Sequence, residues 1–188
     1  MRQIGPVNAV QLGTLIKIVQ AMHGVPTERL PALKGRFRNF LKLGLPSVHS
    51  VGTGSRAEYW PTHVAQALVA FELVRLRMPQ TAAAHCVRSS LGVVEAAFGE
   101  AARQLAGGRS RGATTMTVAS NALLEDGKLP GFGELSLSPA TSGLDAIAAG
   151  RGAVLAIDAR GLVERAAQAA RRTDEPFDAG FFTTLAPA

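Results

Sequence analysis

The chain has 188 residues, 47% of them hydrophobic, and a formal net charge of +6. That length suits one ordinary domain or two small ones, and no apolar run reaches the roughly 18 residues of a membrane span. The opening MRQIGPVNAV lacks the apolar core of a signal peptide, and the lone Cys86 allows no internal disulfide, so the expected setting is the cytoplasm, without a membrane partner.

Charge is unevenly spread. Up to Arg111 there are fourteen Lys/Arg against five Asp/Glu; from Gly112 onward there are six against nine. A basic module joined to a slightly acidic one is the pattern of a nucleic-acid-binding part with a partner domain. The abundance of Ala, Gly and Arg over Lys fits a GC-rich bacterial genome.

Val7–Met22 reads as the first helix, with Leu12, Leu15, Ile16, Val19 and Met22 at three- and four-residue spacing. His23-Gly24 ends it. His23 has no partner nearby in sequence and reads as a surface or capping residue. Pro26 and then Thr27–Leu30 make a turn, or a single helical turn, before Pro31.

Leu33–Leu43 reads as a basic helix. At about 100° per residue, Leu33, Phe37, Phe40 and Leu41 make a core-facing stripe. Lys34, Arg38, Asn39 and Lys42 fall opposite, with Arg36 flanking them. Lys34, Arg38 and Lys42 form one i, i+4 row with no acidic residue in it. Like charges at that spacing repel by a few tenths of a kcal/mol per pair, so the row makes sense with an external polyanion. Arg38 and Asn39 are residue types able to read base edges in a major groove.

Gly44-Leu45-Pro46 ends this helix, with Gly just past the end and Pro soon after. Ser47–Val51 and Arg56–Trp60 read as two short strands joined by Gly52-Thr53-Gly54-Ser55. The GxG is read as a turn, because no Lys-Ser/Thr follows to make a phosphate loop. Arg56 sits just beyond the tip, placed to touch a sugar-phosphate backbone.

The run of basic helix, G-L-P, glycine-tipped hairpin ending in R-x-x-Y, and then a helix rich in leucine and valine resembles the DNA-binding domain of MerR-like transcription regulators. Gly44, Leu45, Gly54, Arg56, Tyr59 and Val64 fill the family's positions, over about residues 8–108. The Gly24–Leu33 segment is longer than a tight helix-turn-helix turn, and Trp60 stands where a small capping residue is usual. The resemblance implies a winged helix-turn-helix bound to double-stranded DNA. In it Lys34, Arg36, Arg38, Asn39 and Lys42 share base and phosphate contacts, and Arg56 and Tyr59 belong to the wing. It also implies a homodimer formed through a long helix after the winged module.

Pro61 opens the next helix, which runs to about Arg77 and is apolar nearly all round. Met78-Pro79 breaks it, and a long helix follows from Gln80 to about Ala106. Val87, Leu91, Val94, Phe98, Ala101 and Leu105 recur at spacings of 4, 3, 4, 3 and 4. This is the rhythm of a coiled-coil seam, and it supplies the expected dimerisation residues Val87, Leu91, Val94, Phe98 and Leu105. The same stripe would also serve to pack on the protein's own C-terminal part. His85-Cys86 near its start, even with His63, shows no metal-ligand spacing, so no metal is expected.

Gly107–Gly112 reads as a linker, either a hinge or a backbone-touching arm. Beyond it, Thr114–Leu124 and Glu134–Leu137 look like strands, with a turn at Glu125-Asp126-Gly127, and Ser142–Ala149 like a short helix. Ala153–Ile157 is a buried-strand candidate, and Asp158 stands at an N-cap before a helix to about Arg172. The tail carries Phe177, Phe181, Phe182 and Leu185, able to dock on the body or a partner or to stay partly disordered.

The expected fold class is α+β. A mainly helical winged helix-turn-helix with its long helix occupies 1–108, a linker 109–112, a small α+β domain 113–172 and a tail 173–188. No GxSxG elbow, P-loop, strand-borne GxGxxG or metal-hydrolase motif is present, and the histidines at 23, 49, 63 and 85 stand in no catalytic setting. An enzyme is not expected, nor a cofactor. The reading is a sequence-specific, dimeric DNA-binding regulator of the bacterial nucleoid, whose C-terminal part senses a ligand or contacts RNA polymerase or another regulator. The alternatives are a phage-derived interaction adaptor or DNA-packaging recognition subunit on the same scaffold, and a small-molecule sensor with a Phe- and Leu-lined C-terminal pocket.

Overall fold

The apolar stripes of the N-terminal helices and of the C-terminal segment close over one another, and that sets the architecture. A computed structural model describes residues 9–47, 57–107, 114–119, 138–140 and 154–185. The elements run β1 (Val10–Gln11), α1 (Leu12–Met22), a 3-10 turn (Thr27–Arg29), α2 (Leu30–Lys42), β2 (Glu58–Tyr59), α3 (Pro61–Arg75), α4 (Gln80–Ser89) and α5 (Leu91–Leu105). Then follow β3 (Thr115–Ala119), β4 (Ser138–Ala140), β5 (Val154–Asp158), α6 (Ala159–Arg172) and a second 3-10 turn (Ala179–Thr184). The described residues are mostly helical, with two small antiparallel sheets, as an α+β fold requires.

The first helix starts later than its apolar spacing suggests. Val10 and Gln11 are a strand, paired with Tyr59 and Glu58, and this pairing buries Val10 and Tyr59. The basic helix starts earlier, at Leu30, because Pro31 occupies its first turn, where the missing N–H carries no penalty. Its C-terminus follows the glycine rule: Leu45 N–H donates to the Phe40 carbonyl (2.9 Å), Gly44 N–H donates to that of Leu41 (3.0 Å), and Gly44 has φ +73°.

Helix α3 is central, buried on most of its circumference, and packs on α4, α5 and the C-terminal 3-10 turn. Its Phe71 ring lies 4.5 Å from Phe37 and 5.2 Å edge-on from Phe40, which seats α2 on it. The turn after α3 has the same hydrogen-bond pattern as the end of α2, with Met78 N–H on the Leu73 carbonyl, but Arg77 occupies the left-handed position at φ +72°.

The long helix expected over Gln80–Ala106 is two helices, broken at Ser90. Ser89 Oγ donates back to the carbonyls of His85 (3.0 Å) and Cys86 (3.1 Å). Such side-chain bonds compete with the backbone ladder and bend or end a helix. The expected dimerisation seam is corrected with it. Val87, Val94 and Phe98 are fully buried within the chain, and Leu91 and Leu105 are half-buried. What fills the seam is the C-terminal 3-10 turn, where Phe98 meets Phe182 edge-on at 5.1 Å.

In the C-terminal half, β3 pairs with β4 on one side and β5 on the other. Asp158 caps α6 as its position suggests, accepting the Arg160 N–H at 3.0 Å. Helix α6 packs on α1 and α5. The expected linker at 109–112 lies outside the described residues, as do the expected elements at Glu125–Gly127, Glu134–Leu137 and Ser142–Ala149. The core is continuous across that expected boundary: Leu15 and Phe98 belong to the same cluster as Leu162, Ala166 and Phe182. The tail is packed in it, with Phe177, Phe181, Phe182 and Leu185 buried. No described helix is long and apolar enough to cross a membrane.

Candidate nucleic-acid interface

The outer face of α2 is where the sequence places its unneutralised charge. Lys34, Arg36, Arg38 and Lys42 are all exposed, while Leu33, Phe37 and Phe40 on the opposite face are buried. Lys34, Arg38 and Lys42 stand one above another, a row about 12 Å long at 1.5 Å per residue. Ion pairs among the described residues lie elsewhere: Lys17–Glu175, Arg75–Glu72, Arg165–Glu72, Arg103–Glu100 and Arg160–Glu164. Among the described residues, none of the four cations on α2 has a carboxylate partner.

The helix is held rigidly from behind. Gln80, opening α4, accepts from Asn39 Nδ2 at 3.0 Å and donates to the Arg36 carbonyl at 3.4 Å. Arg88 Nη1 donates to the Leu43 carbonyl at 3.2 Å, a cation at the helix C-terminus where the dipole favours one. The buried Gln66 of α3 clamps the exit, accepting from Ser47 N–H at 3.0 Å and donating to Ser47 Oγ at 3.3 Å. These clamp residues are not visible in the sequence, because the partners are 19 to 45 residues apart.

Two expected contact residues are placed differently. Tyr59 is 2% exposed. It is a core residue whose place is fixed by the β1–β2 pairing, and burial raises its phenol pKa. Asn39 is half-buried, with its amide given to Gln80, so reading a base would require breaking that bond. Arg56 and the expected hairpin tip at 52–55 lie outside the described residues, and Glu58–Tyr59 of the expected second strand pair with β1. The described chain after α2 runs to Ser47, held by Gln66 of α3, and resumes at Ala57, just before the strand paired with β1.

Trp60, 47% exposed, precedes α3. Its N–H donates to His63 Nδ1 at 3.2 Å, so a histidine three residues on does the capping there. Comparison with protein-family models, curated proteins and solved structures gives no match. The assignment of this face therefore rests on its own chemistry.

Other titratable groups are settled by their surroundings. Cys86 is buried, and loss of hydration pushes its thiol up to about 12, out of reach of thiolate chemistry at neutral pH. No group of three or more His, Cys, Asp or Glu able to hold a metal occurs among the described residues. His23 ends α1 as a cap residue, its N–H on the Val19 carbonyl, but it is not a surface residue. It is half-buried, and burial lowers its pKa. Nearby, burial pushes the Glu72 carboxyl up, but the hydrogen-bonded Arg75 and the charge of Arg165 outweigh this and hold it below the ordinary range.

Proposed function

We propose that the chain is a sequence-specific double-stranded-DNA-binding regulator of the winged helix-turn-helix kind, resembling MerR-like regulators, with α2 as its reading helix. The observation that carries this is the exposed row Lys34, Arg38 and Lys42, with Arg36 beside it, without an acidic partner among the described residues. A B-DNA major groove roughly 12 Å wide admits a helix about 10–12 Å across, and a row about 12 Å long would run along it. The side-chain clamp from Gln80, Arg88 and Gln66 supports the reading, since a groove reader must hold its helix at a fixed angle. So does the return of the chain at Ala57, which leaves 48–56 free in length to form a wing.

Lys34, Arg36, Arg38 and Lys42 would divide base and phosphate contacts, and Arg56 would grip the backbone. Asn39 and Tyr59 would act from behind, as supports of α2 and of the strand leading into α3. The homodimer that the resemblance implies would pair through a surface other than the α4–α5 seam, which the C-terminal turn already fills.

The test is duplex binding followed by fluorescence anisotropy across a salt series. Each phosphate contact contributes a log–log slope of about −0.9. Lys34→Ala and Lys42→Ala should each flatten the slope by about one contact, and Arg38→Ala should erode preference among sequences selected from a random pool. A salt-independent response, or slopes unchanged in all three variants, would remove the case for a DNA reader.

A further inference from the structure

A cavity of about 560 Å³ opens between the end of α1, α2, α3 and α6, with Arg36, beside the exposed row of α2, in its lining. That volume lies within the range of roughly 300–1,000 Å³ used by small-molecule sites. Its lining combines apolar side chains, Val25, Leu33, Phe71 and Val74, with His23, Glu72 and four arginines, Arg36, Arg75, Arg77 and Arg165.

Charge in the cleft does not balance. Glu72 is gripped by both Arg75 Nε (3.0 Å) and Arg75 Nη2 (2.6 Å), and Arg165 Nη2 reaches the same carboxylate at 3.3 Å. One carboxylate thus faces four guanidiniums, and among the described residues Arg36 and Arg77 have no acidic partner. A buried polar atom is also left over: His23 Nε2 is sealed from solvent and has no hydrogen-bond partner. Finally, Arg77 holds φ +72° at a turn position where glycine would be unstrained. Strain of this kind persists where the side chain has a task, and here it puts a guanidinium on the rim of the cleft.

We propose that this cleft binds a small organic anion, with an apolar body against Phe71, Val74 and Leu33 and its anionic head on Arg77 and Arg36. Because the cleft joins α2 to α6 through Arg36 and Arg165, its occupant bridges the basic helix and the C-terminal half. The assignment goes beyond the DNA reading and stands without it.

The experiment uses the full chain without DNA. Phenyl phosphate and benzoate are titrated by NMR chemical-shift mapping, with benzyl alcohol as the neutral control. Saturable shifts at Val25, Phe71 and Arg77 with either anion, absent with the alcohol, are the expected result, and the two anions tell a phosphate head from a carboxylate. Arg77→Gly removes the guanidinium while relieving the strained turn, so the fold is kept and affinity drops about tenfold. Arg36→Gln changes an exposed residue, so the fold should be kept while the anions bind more weakly. No saturation by either anion at about 10 mM, or affinity unchanged in both variants, overturns the assignment. If a separate titration with duplex DNA shifts the cleft residues while neither anion does, the assignment is overturned as well and the DNA reading is left intact.

Discussion

Replacing Gly99 by alanine puts a methyl group into the contact that fixes the C-terminal turn to α5. A Cβ there would stand 2.5 Å from the Leu185 carbonyl oxygen, 3.2 Å from its carbon and 3.3 Å from the Leu185 Cβ. The atoms in the way are backbone, so no side-chain rotation relieves the clash. Forcing a methyl into a full site costs about 1–3 kcal/mol, whereas alanine in a helix interior returns about 1 kcal/mol over glycine. The net expectation is a loss of about 1 kcal/mol. Gly35, inside α2, is the internal control, since a Cβ there meets nothing within 4 Å. Gly35→Ala should therefore gain about 1 kcal/mol. Two chemically identical substitutions should differ by about 2 kcal/mol, or roughly 4–8 °C in melting temperature for a domain of this size. Thermal and urea melts followed by circular dichroism measure it. If Gly99→Ala gains as much as Gly35→Ala, the C-terminal segment does not lie on α5 as described.

Phe98→Ala should cost about 3–5 kcal/mol, by the same amount at every protein concentration. A seam between two copies would instead make the loss depend on concentration, which melts over a hundredfold dilution series would reveal. Glu175 accepts from Lys17 Nζ (2.6 Å) and Thr14 Oγ1 (2.7 Å), tying the end of α6 to α1, and the Lys17 bond foremost holds its carboxyl below the ordinary range. A carboxyl with a depressed folded-state pKa stabilises above its unfolded value, near 4.3, and loses this as pH falls through the folded value. The stability gap between the native chain and Glu175→Gln should thus be full at neutral pH and shrink on acidification. A gap that stays constant in acid denaturation curves would contradict this pairing.

What was legible in the chain is what is local. The stripe Leu33, Phe37 and Phe40 identifies α2 and its buried face without reference to anything distant. Asp158 identifies its own helix because capping involves only the next two residues. Pro31 misleads about the helix start because the same residue is a stop inside a helix and a good fit in its first turn. The four-three rhythm from Val87 marks a buried stripe correctly but carries no information on what covers it, and the answer, Phe182, lies 84 residues beyond Phe98. Tyr59 is a similar case: its burial depends on Val10, at the far end of the helical pair. The arginine cleft was out of reach altogether. Its residues come from four separate elements, and Arg77 breaks the local rule that would have put glycine there.

The placement of the C-terminal turn against Phe98 has a consequence for synthesis. A nascent chain that has cleared the ribosome only through α5 already contains the whole basic helix, yet the surface of α5 destined for Phe181, Phe182 and Leu185 is still bare. The part made first is completed last. Loss of the segment after α6 would bare that same part of α5 in the finished molecule while leaving α2 itself intact.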